Sequence, residues 1–398
     1  MQKNKIPLRQ YVSVLGITIA AFIFNTSEFM PIGLLSDISE AFQLTEAGTG
    51  IMITAYAWVV AVLSLPLMLL VTKIELKKLL IATITLFCIG QILSGAAITF
   101  SMLLIARICV ACAHSIFWSI AAPIAVLLVF KEHRSVALSM VATGTSVAMI
   151  FGLPLGRMIG LYLGWRMTFI TIAGAAFLTM IYLFFVFPHL TNKATFSVAE
   201  LPSLLKNPVL VGIYVLTVLT STAYYTGYSY IEPFLSQVAH LSDSWVTMTL
   251  TIFGISGFIG SCLFSMFYDH YRYRFIRFSF ISLTIPLLLL QAAAGNFYVV
   301  LATCVLWGVA SMAFNVTLQA EVMQCVPIRA NAVAMSMYSG IFNLGIGTGT
   351  WFGGWVTTNY TVADVGYAGG CIGILAVIYC ITQLITKIKR NEQVKRMS

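Results

Sequence analysis

The stretch Ser135-Val136-Ala137-Leu138-Ser139-Met140 returns 197 residues later as Ala332-Val333-Ala334-Met335-Ser336-Met337. At the same offset Gly152 aligns with Gly349 and Gly156 with Gly353, giving six identities between 134–156 and 331–353. The offset is almost half of the 398-residue chain. A single offset near half the length, in a chain this apolar, predicts two related membrane halves.

Charged residues make up 9% of the chain and apolar residues 60%, with a mean hydropathy of +0.95. Soluble domains carry about a quarter charged residues, so too little polar surface exists to cover a globule in water. The apolar residues fall in the blocks 11–34, 47–71, 79–98, 102–129, 136–160, 167–187, 209–232, 246–267, 275–294, 297–320, 332–356 and 366–386. Each is near or above the roughly 20 residues that cross the hydrocarbon core as a helix. The expectation is an all-α membrane protein with twelve spans in two pseudo-symmetric six-helix halves.

The halves are placed at 1–187 and 208–398, the second ending in a short basic tail. The polar interval 188–207 between them opens with Pro188-His189-Leu190-Thr191-Asn192-Lys193 and reads as a cytoplasmic linker. With both termini cytoplasmic, 19 of the 22 basic residues fall on the inner side, and the outer loops hold Asp37, Glu40, Glu46, Asp243 and Asp364. Lysine and arginine set orientation in this way. The net charge of +9 therefore reflects topology and does not suggest nucleic-acid binding. The first block contains Glu28 and lacks an A-x-A-like site, so no cleaved signal peptide is expected. Cys109 and Cys112 form a lone CxxC in an apolar block. Zinc sites need four converging ligands, so neither metal nor cofactor is expected.

In the fifth block Gly144, Ala148, Gly152, Gly156, Gly160 and Gly164 recur at every fourth position. On a helix that is one smooth face permitting close backbone approach. Pro154 lies within it and can loosen the helix locally. The eleventh block repeats the pattern at Gly345, Gly349 and Gly353. Two compatible roles follow: tight static packing, or a surface along which the halves rock.

Several motifs carry a family resemblance. Arg107 lies near the start of the fourth block, Gly152-Leu153-Pro154-Leu155-Gly156 lies in the fifth, and Gly164-Trp165-Arg166 follows it. With twelve spans in a 6+6 repeat, the chain resembles the major facilitator superfamily, in its drug:proton antiporter branch. The chain departs from that pattern at Val110 and Ala111, which stand where Gln and Gly usually follow the arginine. Between spans two and three the family's Asp, Gly and basic pair are replaced by Lys73, Leu76, Lys77 and Lys78. The second-half counterpart keeps Asp269, Arg272 and Arg274.

A closer resemblance covers nearly the whole chain. Phe22-Ile23-Phe24-Asn25-Thr26-Ser27-Glu28-Phe29, Tyr56-Ala57-Trp58-Val59-Val60, Ala113-His114-Ser115-Ile116-Phe117-Trp118-Ser119, Tyr228-Ser229-Tyr230-Ile231-Glu232-Pro233-Phe234 and Ser339-Gly340-Ile341-Phe342-Asn343 are similar to the bacterial sugar efflux transporters. That resemblance implies proton-driven export of small sugars and glycosides, such as arabinose-like sugars and galactosides, across the bacterial inner membrane.

Charged side chains deep in a bilayer are functional candidates because they are costly unless paired or hydrated. Counting along the spans puts Glu28 and Arg107 at similar depth in the outer third, so the two are expected to face each other. The alternative is that Arg107 pairs with backbone carbonyls while Glu28 reaches interfacial water. His114 lies near mid-depth, two turns from Arg107, with Trp118 four residues on. An imidazole titrates near neutrality, which suits a substrate ligand or a partner to Glu28 as proton carrier.

In the second half Tyr225, Tyr228 and Glu232 recur at i, i+3 and i+7. They read either as an interfacial belt or as a sugar site, in which aromatic faces pack on the ring and polar groups bond its edge. Asn25, Tyr56 and Asn343 fall near mid-depth by the same counting, and Trp307 and Gln91 are weaker candidates. A sugar site between the halves is expected.

The leading expectation is a sugar:proton antiporter working by alternating access, with a multidrug:proton antiporter as the alternative within transport. A membrane sensor would carry an output domain, and an intramembrane enzyme would need a converging catalytic set. Neither feature is read here, since the adjacent residues His114 and Ser115 point about 100° apart on a helix. The expected partners are a small sugar, protons and the lipid bilayer, with no nucleic acid, and a monomer is expected.

Overall fold

Capping and helix-breaking residues divide the chain into rods. The computed structural model describes residues 8–71, 74–130, 133–188, 201–327 and 330–390, and every regular element among them is helical. In chain order these are α1 (Leu8–Phe29), α2 (Leu35–Phe42), α3 (Glu46–Val71), α4 (Leu76–Gly95), α5 (Phe100–Leu127), α6 (Arg134–Leu163), α7 (Trp165–Val186), α8 (Leu201–Leu205), α9 (Pro208–Tyr228), α10 (Ile231–Pro233), α11 (Asp243–Ala293), α12 (Phe297–Cys325), α13 (Asn331–Asn359) and α14 (Val365–Tyr379). A tight 3-10 segment, Met30–Leu34, joins α1 to α2, and wider π turns follow α10 and α14 at Phe234–Val238 and Cys380–Leu384. Most of the linker read at 188–207 lies outside the described residues.

The starts and stops follow local chemistry. Thr99, Asn207 and Asn296 accept hydrogen bonds from the first free amides of α5, α9 and α12, which no carbonyl within the helix can reach. Pro208 opens α9, where its missing N–H costs nothing. Gly164, with φ +84°, makes the corner between α6 and α7. A side chain there would strain the backbone.

Among the described residues, ten helical stretches are long and apolar enough to cross a bilayer. One of them, α11, has 51 residues, or about 76 Å at 1.5 Å per residue, against a hydrocarbon core of about 30 Å. It takes in the blocks 246–267 and 275–294. The backbone leaves the helical region at Tyr271 (φ −128°, ψ 36°), so two crossings meet there. The block 332–356 lies on the 29-residue α13, which is not among the ten; its glycines and hydroxyl-bearing residues lower its hydropathy. All twelve blocks thus lie on helices.

The helices gather into two compact units. One holds the described residues of Met1–Leu34 and Val62–Thr195, the other those of Leu35–Ala61 and Phe196–Ser398. In the first unit α6 runs against α1. A Cβ added at Gly152 would lie 3.1 Å from Thr26 Cα, and one at Gly156 would lie 2.5 Å from Met30 Cβ. In the second unit α13 packs on α9, and a Cβ at Gly349 or Gly353 would come within 2.5 or 2.6 Å of the Thr222 or Thr226 carbonyl oxygen. The matched glycines therefore face helices of their own units, as tight packing requires. Pro154 lies inside the continuous 30-residue α6.

Large apolar side chains on the outer faces, such as Phe185 at 79% exposure and Ile105 at 68%, are liabilities in water and suited to lipid.

Candidate functional site: polar groups buried in the spans

In the first unit the polar groups converge on the end of α1. Pro31 lacks the N–H that would bond the Ser27 carbonyl in a regular helix. Arg107 on α5 supplies a donor instead, from Nη2 to that carbonyl at 3.1 Å, and Nη1 donates to Ser27 Oγ at 3.3 Å. Gln91 on α4 donates its amide to the same hydroxyl. Arg107 and Gln91 are both buried, and both terminal nitrogens of the guanidinium reach an oxygen of Ser27, which offsets part of the cost of burying a cation.

The other two arginines in or beside the first-half spans behave alike. Arg157 Nη1 donates to the Gly33 carbonyl at 3.0 Å, and Arg166 Nη2 to the Ala97 carbonyl at 3.2 Å. The guanidinium of Arg166 also lies over the Trp165 ring, 4.2 Å from its centroid.

Glu28 follows Ser27, and its carboxylate lies 3.6 Å from His114 Nε2 on α5. The imidazole is therefore a charge partner of the carboxylate when protonated. When neutral it lies beyond hydrogen-bond range. His114 sits among aromatic rings, with centroids at 6.2 Å to Phe24 and 6.1 Å to Trp118. Asn25, on the same α1, is buried. The first unit thus brings Glu28, His114 and Trp118 together, with Arg107 bonded to the residue before Glu28.

In the second unit Tyr225 and Tyr228 belong to an aromatic cluster on α9, α11, α12 and α13. Tyr228 stacks on Tyr224 at 4.8 Å and on Phe253 at 5.4 Å, and Tyr225 meets Phe342 edge-on at 6.1 Å. Trp307 closes the group at 5.7 Å from Tyr224. The stripe expected to continue to Glu232 is interrupted, because α9 ends at Tyr228 and the backbone turns at Ser229 and Tyr230. Pro233 has no N–H for the Ser229 carbonyl, so a backbone bond is missing at this turn.

Glu232 instead accepts from the Ser36 backbone N–H at 3.2 Å, in the first turn of α2. A carboxylate there is favoured by the helix dipole. Tyr56 is buried on α3. On α13 the Asn343 amide donates to the Ser339 carbonyl at 3.0 Å.

A further ionic group was not read from the sequence. Arg272, near the kink of α11, donates from Nε at 2.7 Å and Nη2 at 2.5 Å to the two oxygens of Glu321 on α12, and Tyr268 donates to the same carboxylate at 2.6 Å. Glu321 is buried. Two parallel bonds to a carboxylate form the strongest common geometry for such a pair. Asp269, one residue after Tyr268, is exposed. Among the described residues no three His, Cys, Asp or Glu side chains gather as a metal site would require.

Residues 17–260 and 233–396 match the Major Facilitator Superfamily. Among solved structures the chain is similar to a D-xylose-proton symporter (TM-score 0.77, 15% identity, 94% of this chain and 97% of that one). It is also similar to the nucleoside transporter NupG (0.76, 13%, 93% and 99%). A third is a bacterial homolog of the human lysosomal transporter Spinster in an inward-facing, unoccupied conformation (0.74, 16%, 96% and 95%). At these identities the likenesses show a shared fold. The helical bundle, the apolar spans and the family match over most of the chain agree: it belongs to the Major Facilitator Superfamily, and it is a multi-pass membrane transporter, not an enzyme.

Proposed function

We propose that this transporter exports small sugars and glycosides from the cytoplasm in exchange for protons, by alternating access. The observation that carries the reading is the buried contact of 3.6 Å between the Glu28 carboxylate and His114. A carboxylate inside a span needs a function or a partner, and here it faces an imidazole. Glu28 is the proton carrier. Protonation removes the negative charge that faces the imidazole, and deprotonation restores it. Arg107 fixes the neighbouring Ser27 and so sets where that carboxylate stands.

The second unit supplies the Tyr225 ring, the Tyr228 ring edge (its faces stack on Tyr224 and Phe253) and an amide at Asn343, the mixture of aromatic and polar groups a sugar requires. Two structural neighbours bear the names of a nucleoside transporter and a D-xylose-proton symporter. Both solutes present sugar hydroxyls, which supports a polyhydroxylated substrate. The placement of 19 of 22 basic residues on one side of the spans supports cytoplasmic termini and a bacterial inner-membrane location. On this reading the halves 1–187 and 208–398 act as a monomer.

The test is flux in proteoliposomes with a panel of sugars and galactosides, with and without an imposed proton gradient, and with lipophilic cations as competitors. Gradient-dependent sugar movement that the cations do not inhibit is expected. Movement of the cations alone would replace this reading with a multidrug exporter.

A further inference from the structure

Helix α12 carries Trp307, Ser311, Asn315 and Gln319 at intervals of four. Ser311 is the fifteenth of its 29 residues, so the set lies at the middle of the span. Residues four apart on a helix stand nearly above one another, drifting by about 40° each time. The four side chains form one slowly winding stripe. Leu306, 55% exposed, marks the lipid side of α12. Asn315 is nine residues away, which at about 100° per residue is the opposite side.

Ser311 and Gln319 are half-buried and Asn315 is buried, so the partial access of the first two opens away from lipid. Ser311 stands about 100° around α12 from Met312, which with the Val309 carbonyl carbon meets Cβ atoms placed at Gly257 and Gly260 of the first α11 crossing at 2.7 Å and 3.0 Å. Gln319, seven residues beyond Met312, lies within about 20° of that face.

The stripe adjoins the aromatic cluster. Tyr224 comes within hydrogen-bonding reach of Ser311, and Phe314 stacks on Phe342 with centroids at 6.3 Å. That stack fastens α12 to α13 next to Asn315 on one helix and Asn343 on the other. Three polar atoms of this region, Trp307 Nε1, Tyr338 Oη and Asn343 Oδ1, are buried with no hydrogen-bond partner among the described residues. Such groups cost free energy unless something bonds them. Gln319 donates to Asn315, which leaves the Asn315 amide hydrogens and the Gln319 carbonyl to offer. An amide pair of this kind presents donors and an acceptor side by side, the pattern that vicinal hydroxyls match.

We infer that Ser311, Asn315 and Gln319 on α12, with Asn343 on α13, form the hydroxyl-reading edge of the substrate site in the second unit, beside rings that take the apolar face of a sugar. The inference rests on the sugar reading and names residues that reading did not contain. A site built to bond a hydroxyl discriminates strongly against the analogue that lacks it, because its own polar groups are then left unpaired. Polar residues that merely hold helices together would not discriminate at all.

The experiment uses the full chain in proteoliposomes with methyl β-galactoside and its 2-, 3-, 4- and 6-deoxy derivatives, in wild type, Ser311→Ala, Asn315→Leu and Gln319→Leu. In wild type, at least one deoxy position is expected to raise KM about tenfold or more, within the range for a lost substrate hydrogen bond. In Asn315→Leu or Gln319→Leu, KM for the parent rises and the penalty for that same deoxy position falls below about threefold. If Asn315→Leu does not assemble, the half-buried Gln319 and Ser311 carry the same test.

Variants that keep the full deoxy penalty, or that lose rate equally for every sugar, overturn the inference while leaving sugar export standing. A wild type that carries neither these galactosides nor any sugar of the flux panel removes both together.

Discussion

A carbonyl left without its helical donor inside a membrane must find another, since no water is at hand there. Pro31 creates that situation at Ser27, and the guanidinium of Arg107 meets it. Replacing Arg107 by Ala is expected to lower stability by about 1–3 kcal/mol, the cost of a buried acceptor left unsatisfied. In a Pro31→Ala background residue 31 regains its N–H, so the same replacement should cost less, by about 1 kcal/mol or more. Thermal unfolding of the four proteins in detergent gives the coupling directly; strict additivity would dissociate Arg107 from the break in α1.

Counting along the spans placed Glu28 at the depth of Arg107 and put His114 two turns deeper, whereas Glu28 lies 3.6 Å from His114. Nor could the sequence say whether the arginine meets Ser27 or Glu28. Adjacent residues point about 100° apart, and the choice is made by how α5 packs on α1.

Close packing of helices brings its own expectations. A Cβ at Gly349 would press on the α9 backbone at 2.5 Å from a carbonyl that cannot retreat, so Gly349→Ala should destabilise the protein by about 1–3 kcal/mol. Gly174 on α7 has nothing within 4 Å of such an atom, and Gly174→Ala should be neutral or slightly stabilising. Equal losses at the two positions, measured by detergent unfolding, would contradict the packing of α13 on α9.

At the kink of α11, Arg272→Ala strands the Glu321 carboxylate and should cost about 3–5 kcal/mol. Tyr268→Phe removes one donor of three and should cost about 1 kcal/mol. The same unfolding assay ranks them, and a larger loss for Tyr268→Phe would argue against the bidentate pair as the main contact.

Elements were largely legible in the sequence, since twelve apolar blocks map onto helices and the matched glycines lie on packed faces. The end of α9 at Tyr228 was not, although Pro233 carried the signal. Glu321 was missed because the tenth block was read as ending at 320, whereas α12 continues to Cys325. The acid looked like a loop residue. Its burial depends on Arg272 arriving from α11, a tertiary fact that periodicity does not contain.

For the whole molecule, the repeat explains paired scaffolds, and the proposed chemistry sits where they differ. Glu28 aligns with Tyr230 when Ser27 and Pro31 are matched to Ser229 and Pro233. The first unit holds a carboxylate against an imidazole, whereas the second offers rings and amides. Proton coupling and substrate recognition are thereby assigned to different units, so they should be separable by substitution. The direct test is Glu28→Gln in proteoliposomes, comparing sugar movement driven by an imposed proton gradient with sugar exchange at equal pH. Gradient-driven movement should vanish while exchange stays within about twofold of wild type, since Gln cannot carry the proton and the second unit is untouched. Undiminished gradient-driven movement in Glu28→Gln would contradict the assignment of the proton site.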